Sequence, residues 1–164
     1  MGAGKSTMAE LTAGRLGRAW FDSDEVIVTR CGRSIAGLFA AGAQDRFRAM
    51  EKQVIAELLG GEPAVISLGG GALEDADTRE ALFARAFVIH LAIDWQDVQA
   101  ALPLLMQTRP LLQNRSAQEI HELFDRRQAT YARAHLRIHV PRGDLDVAAD
   151  YVLAAVTQAR PAAP

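Results

Sequence analysis

A chain of 164 residues is about one domain long, and with 49% apolar and 23% charged residues its composition excludes global disorder. Eighteen Lys and Arg against twenty Asp and Glu leave a formal charge of −2, which excludes a broad basic surface for nucleic acid or an anionic membrane. The single cysteine, Cys31, excludes an internal disulfide, and the longest apolar stretch, 86–93, already contains His90 and is far short of the roughly 20 residues of a spanning helix. With no charged-then-apolar leader at the start, a reducing, cytoplasmic setting is expected.

Helical and strand-like segments alternate along the chain, the pattern of an α/β domain with a parallel sheet flanked by helices. Met8, Leu11 and Leu16 predict an amphipathic helix over 7–16, stopped by Gly17, and 19–21 reads as a strand ending at Asp22-Ser23-Asp24. Two carboxylates at the carboxyl end of a strand lie where open α/β sheets collect ligands. Ser34 is placed to cap a short helix through Phe39, and Phe47, Met50, Val54 and Leu58 form the stripe of a long helix over about 45–59. The run 64–68 suits a strand buried on both faces, closed by Gly69-Gly70-Gly71. A helix over 77–84, a strand over 87–93, a helix from Asp94 to about Leu102 and a long loop over 103–117 follow; the loop holds Arg109 and Arg115 and reads as a lid. The chain closes with a helix over 118–134, an edge strand over 137–140 and a helix over 147–158, all within one domain, 1–164.

Basic residues are almost all Arg, and the only lysines are Lys5 and Lys52. Lys5 falls in Gly2-Ala3-Gly4-Lys5-Ser6-Thr7, the second half of the GxxxxGK[ST] turn whose backbone N–H groups and helix N-terminus surround phosphates. Glycine permits close backbone approach, Lys5 supplies charge to the outer phosphates and the Ser6 hydroxyl suits a Mg²⁺ shell. The motif's first glycine and the strand that precedes it would fall before Met1. Met1 is therefore expected to be a truncated or late start, with the first strand belonging to the interior of the sheet.

Together with this turn, Phe21-Asp-Ser-Asp24, Gly32-Arg-Ser-Ile35, Phe47-Arg48 with Glu51, Ser67-Leu-Gly-Gly-Gly-Ala72, Arg109-Pro-Leu-Leu112 and Arg127 with Tyr131 occur in an order that resembles the shikimate kinases. The resemblance implies a monomeric P-loop fold related to nucleoside monophosphate kinases, and transfer of a phosphoryl group from ATP, with Mg²⁺, to the 3-hydroxyl of shikimate on the way to chorismate and the aromatic amino acids. It implies that Lys5, Asp24 and Arg109 act in catalysis, with residues 2–7 and Arg109 on ATP. Asp24, Arg48, Gly69, Gly70, Gly71 and Arg127 would hold shikimate. Ser6 would reach the metal directly and Asp22 through water. Simpler readings stand beside these: Asp22 or Asp24 as a helix cap, Arg48 in an i,i+3 pair with Glu51, Arg127 as a solvated helix charge, Arg109 as a loop charge and the glycines as a flexible turn. The stretch 98–108 lacks the basic residues that the family often has before the lid, one of them against adenine. A gluconate-type kinase and a non-catalytic ligand-binding domain are the alternative functions.

Overall fold

A computed structural model describes residues 2–109, 112, 115–139 and 145–159. The element order is α1 (Lys5–Leu16), β1 (Trp20–Asp22), α2 (Ser23–Cys31), α3 (Ile35–Ala40), α4 (Gln44–Gly60), β2 (Val65–Ser67), α5 (Ala76–Arg85), β3 (Ile89–Ala92), α6 (Trp95–Thr108), α7 (Ala117–Tyr131), β4 (Leu136–His139) and α8 (Leu145–Ala159). Strand and helix alternate, as the apolar periodicity requires, and both strand pairings are parallel. β1 lies beside β2 with Asp22 opposite Ser67, and β3 lies beside β4. Among the described residues no strand joins the two pairs. Between them runs a cavity of about 440 Å³ lined by Met8, Val65, Ile66, Leu68, Val88, Ile89 and Leu91.

Helices cover both pairs. Ile27, Leu38, Phe47 and Val54 bury α2, α3 and α4 against one another, while Ile55, Leu73, Leu82 and Val88 join α4 and α5 to the strand edges. Met8 of α1 packs with Ala148, Ala149 and Val152 of α8 and Ile138 of β4. A fourth cluster joins Val98, Leu102 and Leu105 of α6 to Ile120, Leu123 and Phe124 of α7.

Local signals explain most boundaries. Gly17 ends α1 at φ 61°, Ser34 accepts from Gly37 N at 3.0 Å to start α3, and Ser116 with Glu119 forms a capping box on α7.

Two expectations need correction. Residues 23–31, left without an element by the sequence reading, form α2, because Asp22 caps its start and Gly32, at φ 64°, closes it. The loop expected from Pro103 begins only after Thr108: α6 runs through Pro103, since burying Leu102 and Leu105 against α7 outweighs the lost backbone hydrogen bond. Of the expected lid and its Arg109-Pro-Leu-Leu motif, Pro110, Leu111, Gln113 and Asn114 lie outside the described residues, as do Met1 and Val140.

Candidate active site

The site has two ends, and Lys5 at the first is electrostatically coupled to Asp22, Asp24, Arg109 and Arg127. At the first, Gly2 and Gly4 take left-handed conformations, φ 71° and 70°, that a side chain would strain. Gly4 caps α1 with no side chain bonding the helix end, and the first turn has no acid, so the helix dipole and its leading N–H groups are left for an anion. Burial, and then the neighbouring Arg109, lower the Lys5 pKa, against the pull of Asp24 and Asp22. Ala3 is buried, and Ser6 and Thr7 are exposed in the first turn of α1.

Asp22 has two duties, one for each carboxylate oxygen. Oδ1 accepts from Asp24 N at 2.9 Å and so caps α2. Oδ2 accepts from Ser6 Oγ at 2.6 Å and Ser67 Oγ at 3.0 Å. One carboxylate with two hydroxyls is a sparse, all-oxygen donor set, which fits Mg²⁺, an ion that keeps several waters and takes phosphate oxygens as its remaining ligands. Asp24 is not on the extended backbone expected for it: it sits in the first turn of α2, and helical geometry brings it toward Asp22.

At the other end a cavity of about 640 Å³ is lined by Asp24, Arg48, Glu51, the three glycines, Arg109 and Arg127, with Ile35, Phe39 and Phe47 as apolar wall. The size suits a small molecule. None of the three glycines has the positive φ of a flexible turn. Close approach explains them instead. A Cβ on Gly69 would stand 2.6 Å from Asp24 Oδ1 and 2.8 Å from Glu51 Oε1, one on Gly70 3.3 Å from Arg127 Nη1, and one on Gly71 2.6 Å from Arg48 Nη2. The turn is thus a bare floor on which two carboxylates and two guanidinium groups converge.

These charges come partly paired. Arg48 donates to Glu51 Oε2, the i,i+3 pair, and Glu51 is almost fully buried. Arg127, 8% exposed in its side chain, is clasped by Glu74 and is not a solvated helix charge. Tyr131, one turn on in α7, donates to Gly70 O at 2.7 Å, and Gly69 N donates to Ser23 Oγ at 3.0 Å. Asp24 Oδ1 and Glu51 Oε1 are buried without a hydrogen-bond partner. Burial raises both pKa values, helped for Asp24 by Asp22 and opposed for Glu51 by Arg48. Two buried acceptors facing one point suit a ligand that brings hydroxyl donors.

The structure therefore gathers Asp24, Arg48, Arg109, Arg127 and the glycine turn around one cavity, with Asp22 bonded to Asp24 N and Lys5 electrostatically coupled to Asp22, Asp24, Arg109 and Arg127 beside it. Sequence reasoning passed over Ser67, Glu51, Glu74 and Tyr131 as site residues. Ser67 was within reach: it ends a strand in register with the one ending at Asp22. Glu74 gave no signal, because its partner lies 53 residues away.

An anion-binding helix start beside a carboxylate, opening on a cavity with two guanidinium groups, is the layout of a P-loop kinase acting on a small anionic acceptor. The family model described as Shikimate kinase matches residues 1–157. The shikimate kinase of Geobacillus kaustophilus is 35% identical over 158 residues, covering 95% of this chain and 84% of its own. That of Streptomyces avermitilis is 41% identical over 131 residues, 80% of this chain and 75% of its own. A solved structure, shikimate kinase from Acinetobacter baumannii in complex with shikimate, superposes with a TM-score of 0.82 at 30% identity, covering 96% of this chain and 89% of that one. The chain belongs to the shikimate kinase family.

Proposed function

We propose that this protein transfers the γ-phosphoryl group of ATP to the 3-hydroxyl of shikimate, with Mg²⁺, as a cytoplasmic monomer. The family match supports the reaction, and the one observation of this structure that favours it most is the floor of three glycines with Asp24, Glu51, Arg48 and Arg127 against it. The gluconate-type and non-catalytic alternatives are not favoured by the family match.

In this reading the residues 2–7 turn and Lys5 hold the phosphates of ATP, with Arg109 alongside. Ser6 and Asp22 would hold the metal, which, when bound, neutralises phosphate charge. Arg48 and Arg127, as permanently charged planar forks, take the acceptor's carboxylate. Asp24 accepts a hydrogen bond from the attacking hydroxyl and takes its proton as the new O–P bond forms and the bond from the γ-phosphorus to the ADP oxygen breaks. A loose transition state asks more for such orientation than for a strong base. Asp24 must be ionised to do this, and its raised pKa moves the acidic limb of activity to a higher pH than an ordinary Asp would give.

Release of ADP from ATP and Mg²⁺, measured with and without shikimate, tests the reading. Shikimate-dependent release is expected. A folded chain that binds shikimate without turnover would refute it in favour of a ligand-binding domain.

A further inference from the structure

Arg127 presents its guanidinium edges to two different neighbours. Nε donates to Glu74 Oε1 at 2.8 Å and Nη2 stands 2.7 Å from the same oxygen. Nη1 is left on the cavity side, over Gly70. A buried guanidinium needs a counter-charge, and a long side chain with many rotamers needs something to select one of them. Glu74 answers both needs from a rigid base. Its N–H donates to Gly71 O at 2.9 Å, Leu73 before it is buried and accepts from Arg79 at 3.0 Å, and Asp75 after it caps α5. Arg48 differs, since its carboxylate partner sits on its own helix.

We propose that Glu74 is a positioning residue: by holding one edge of Arg127 it aims Nη1 at the carboxylate of the acceptor and locks that aim to the glycine turn. The inference rests on the functional reading above. Because Glu74 is half-exposed and touches neither the helix start nor Asp24, its removal loosens acceptor binding and leaves ATP binding and chemistry alone.

Steady-state kinetics on the full chain test this with Glu74→Ala and Glu74→Gln, each alone and combined with Arg127→Ala, and with Arg127→Ala by itself. Glu74→Ala is expected to raise the KM for shikimate about threefold to fivefold, with kcat and the KM for ATP within about twofold of the parent. Glu74→Gln, which keeps an acceptor oxygen at the same reach, should recover part of that loss. Neither substitution should add to the effect of Arg127→Ala. The Nε–H resonance of Arg127, protected in the parent, should broaden or vanish in Glu74→Ala. An unchanged or lowered KM in an active Glu74→Ala enzyme, or an equal loss without Arg127, overturns the positioning role alone. Absence of shikimate-dependent turnover in the unsubstituted chain overturns the functional reading and this role with it.

Discussion

In the proposed function the two ends of the site solve the same problem, holding an anion, by opposite means. At the phosphate end the positive potential comes from a helix start and one lysine, all from six consecutive residues. At the acceptor end it comes from two arginines on α4 and α7, each already paired with a carboxylate, around a glycine turn between β2 and α5. A contiguous device needs one segment to fold well. An assembled one needs four segments to arrive in register, and its paired charges hold each fork in place before any ligand comes.

Breaking the seam between the ends should have the largest effect. Asp24→Asn is expected to lower kcat about a thousandfold while ATP affinity stays near the parent's; ADP release and nucleotide titration check both. The acceptor end alone is broken by Gly71→Ala, whose Cβ would collide with Arg48. It should raise the shikimate KM at least tenfold and leave that for ATP unchanged, and Gly70→Ala, with 3.3 Å of room, should do so more weakly. Equal effects on the two would mean that the turn acts through backbone freedom instead.

Ser67→Ala sharpens the phosphate end. Removing one of the two hydroxyls on Asp22 Oδ2 should cost about threefold to tenfold in activity and raise the Mg²⁺ concentration needed for half-maximal rate. A loss of that size with unchanged metal dependence would confine Ser67 to the packing of the strand pair.

The smallest effect on turnover at neutral pH is expected at His90, which lies on β3 against Tyr131 with its ring nitrogen Nδ1 unpartnered. Burial, then Arg137, pushes its pKa down to about 4 from 6.5. Between those values the unfolded chain binds the proton that the folded chain refuses, so stability falls as pH drops through this window. Asp24 and Glu51, with raised pKa values, act in the opposite sense. His90→Phe should flatten the acid-side loss in thermal melts taken from pH 7 to 4, and an unaltered slope would clear His90 of it.

How legible each end was follows from the same contrast. Lys5 and Ser6 could be read directly, because helix-start chemistry is written in neighbouring residues. Asp24, Arg48 and Arg127 were placed by order and resemblance, since no local rule links α2, α4 and α7. Glu51 was legible only as the i,i+3 partner of Arg48, not as a buried acceptor facing the cavity, and Glu74 was not read at all, because a carboxylate that steadies a distant arginine looks like any exposed acid until the chain is folded. α2 had no assignment although a capping residue, Asp22, and a closing glycine, Gly32, bound it; the β-branched Val26, Ile27 and Val28 make its helical signal weak. Pro103 misled by the opposite error, a local rule trusted over the apolar stripe that continues past it.

The packing of α1 on α8, reinforced by ion pairs, sets a timetable for biosynthesis. Arg15 of α1 reaches Asp146 and Asp150 of α8 at 2.9 Å and 2.7 Å, and Leu145 closes over Gly4. The partners in one of these bonds are 135 residues apart, so at about 5–20 residues per second the ribosome delivers the second about 7 to 27 seconds after the first. Throughout that interval the phosphate-binding turn has been made but lacks its packing partner. Full packing of that turn therefore waits until α8 has emerged and docked.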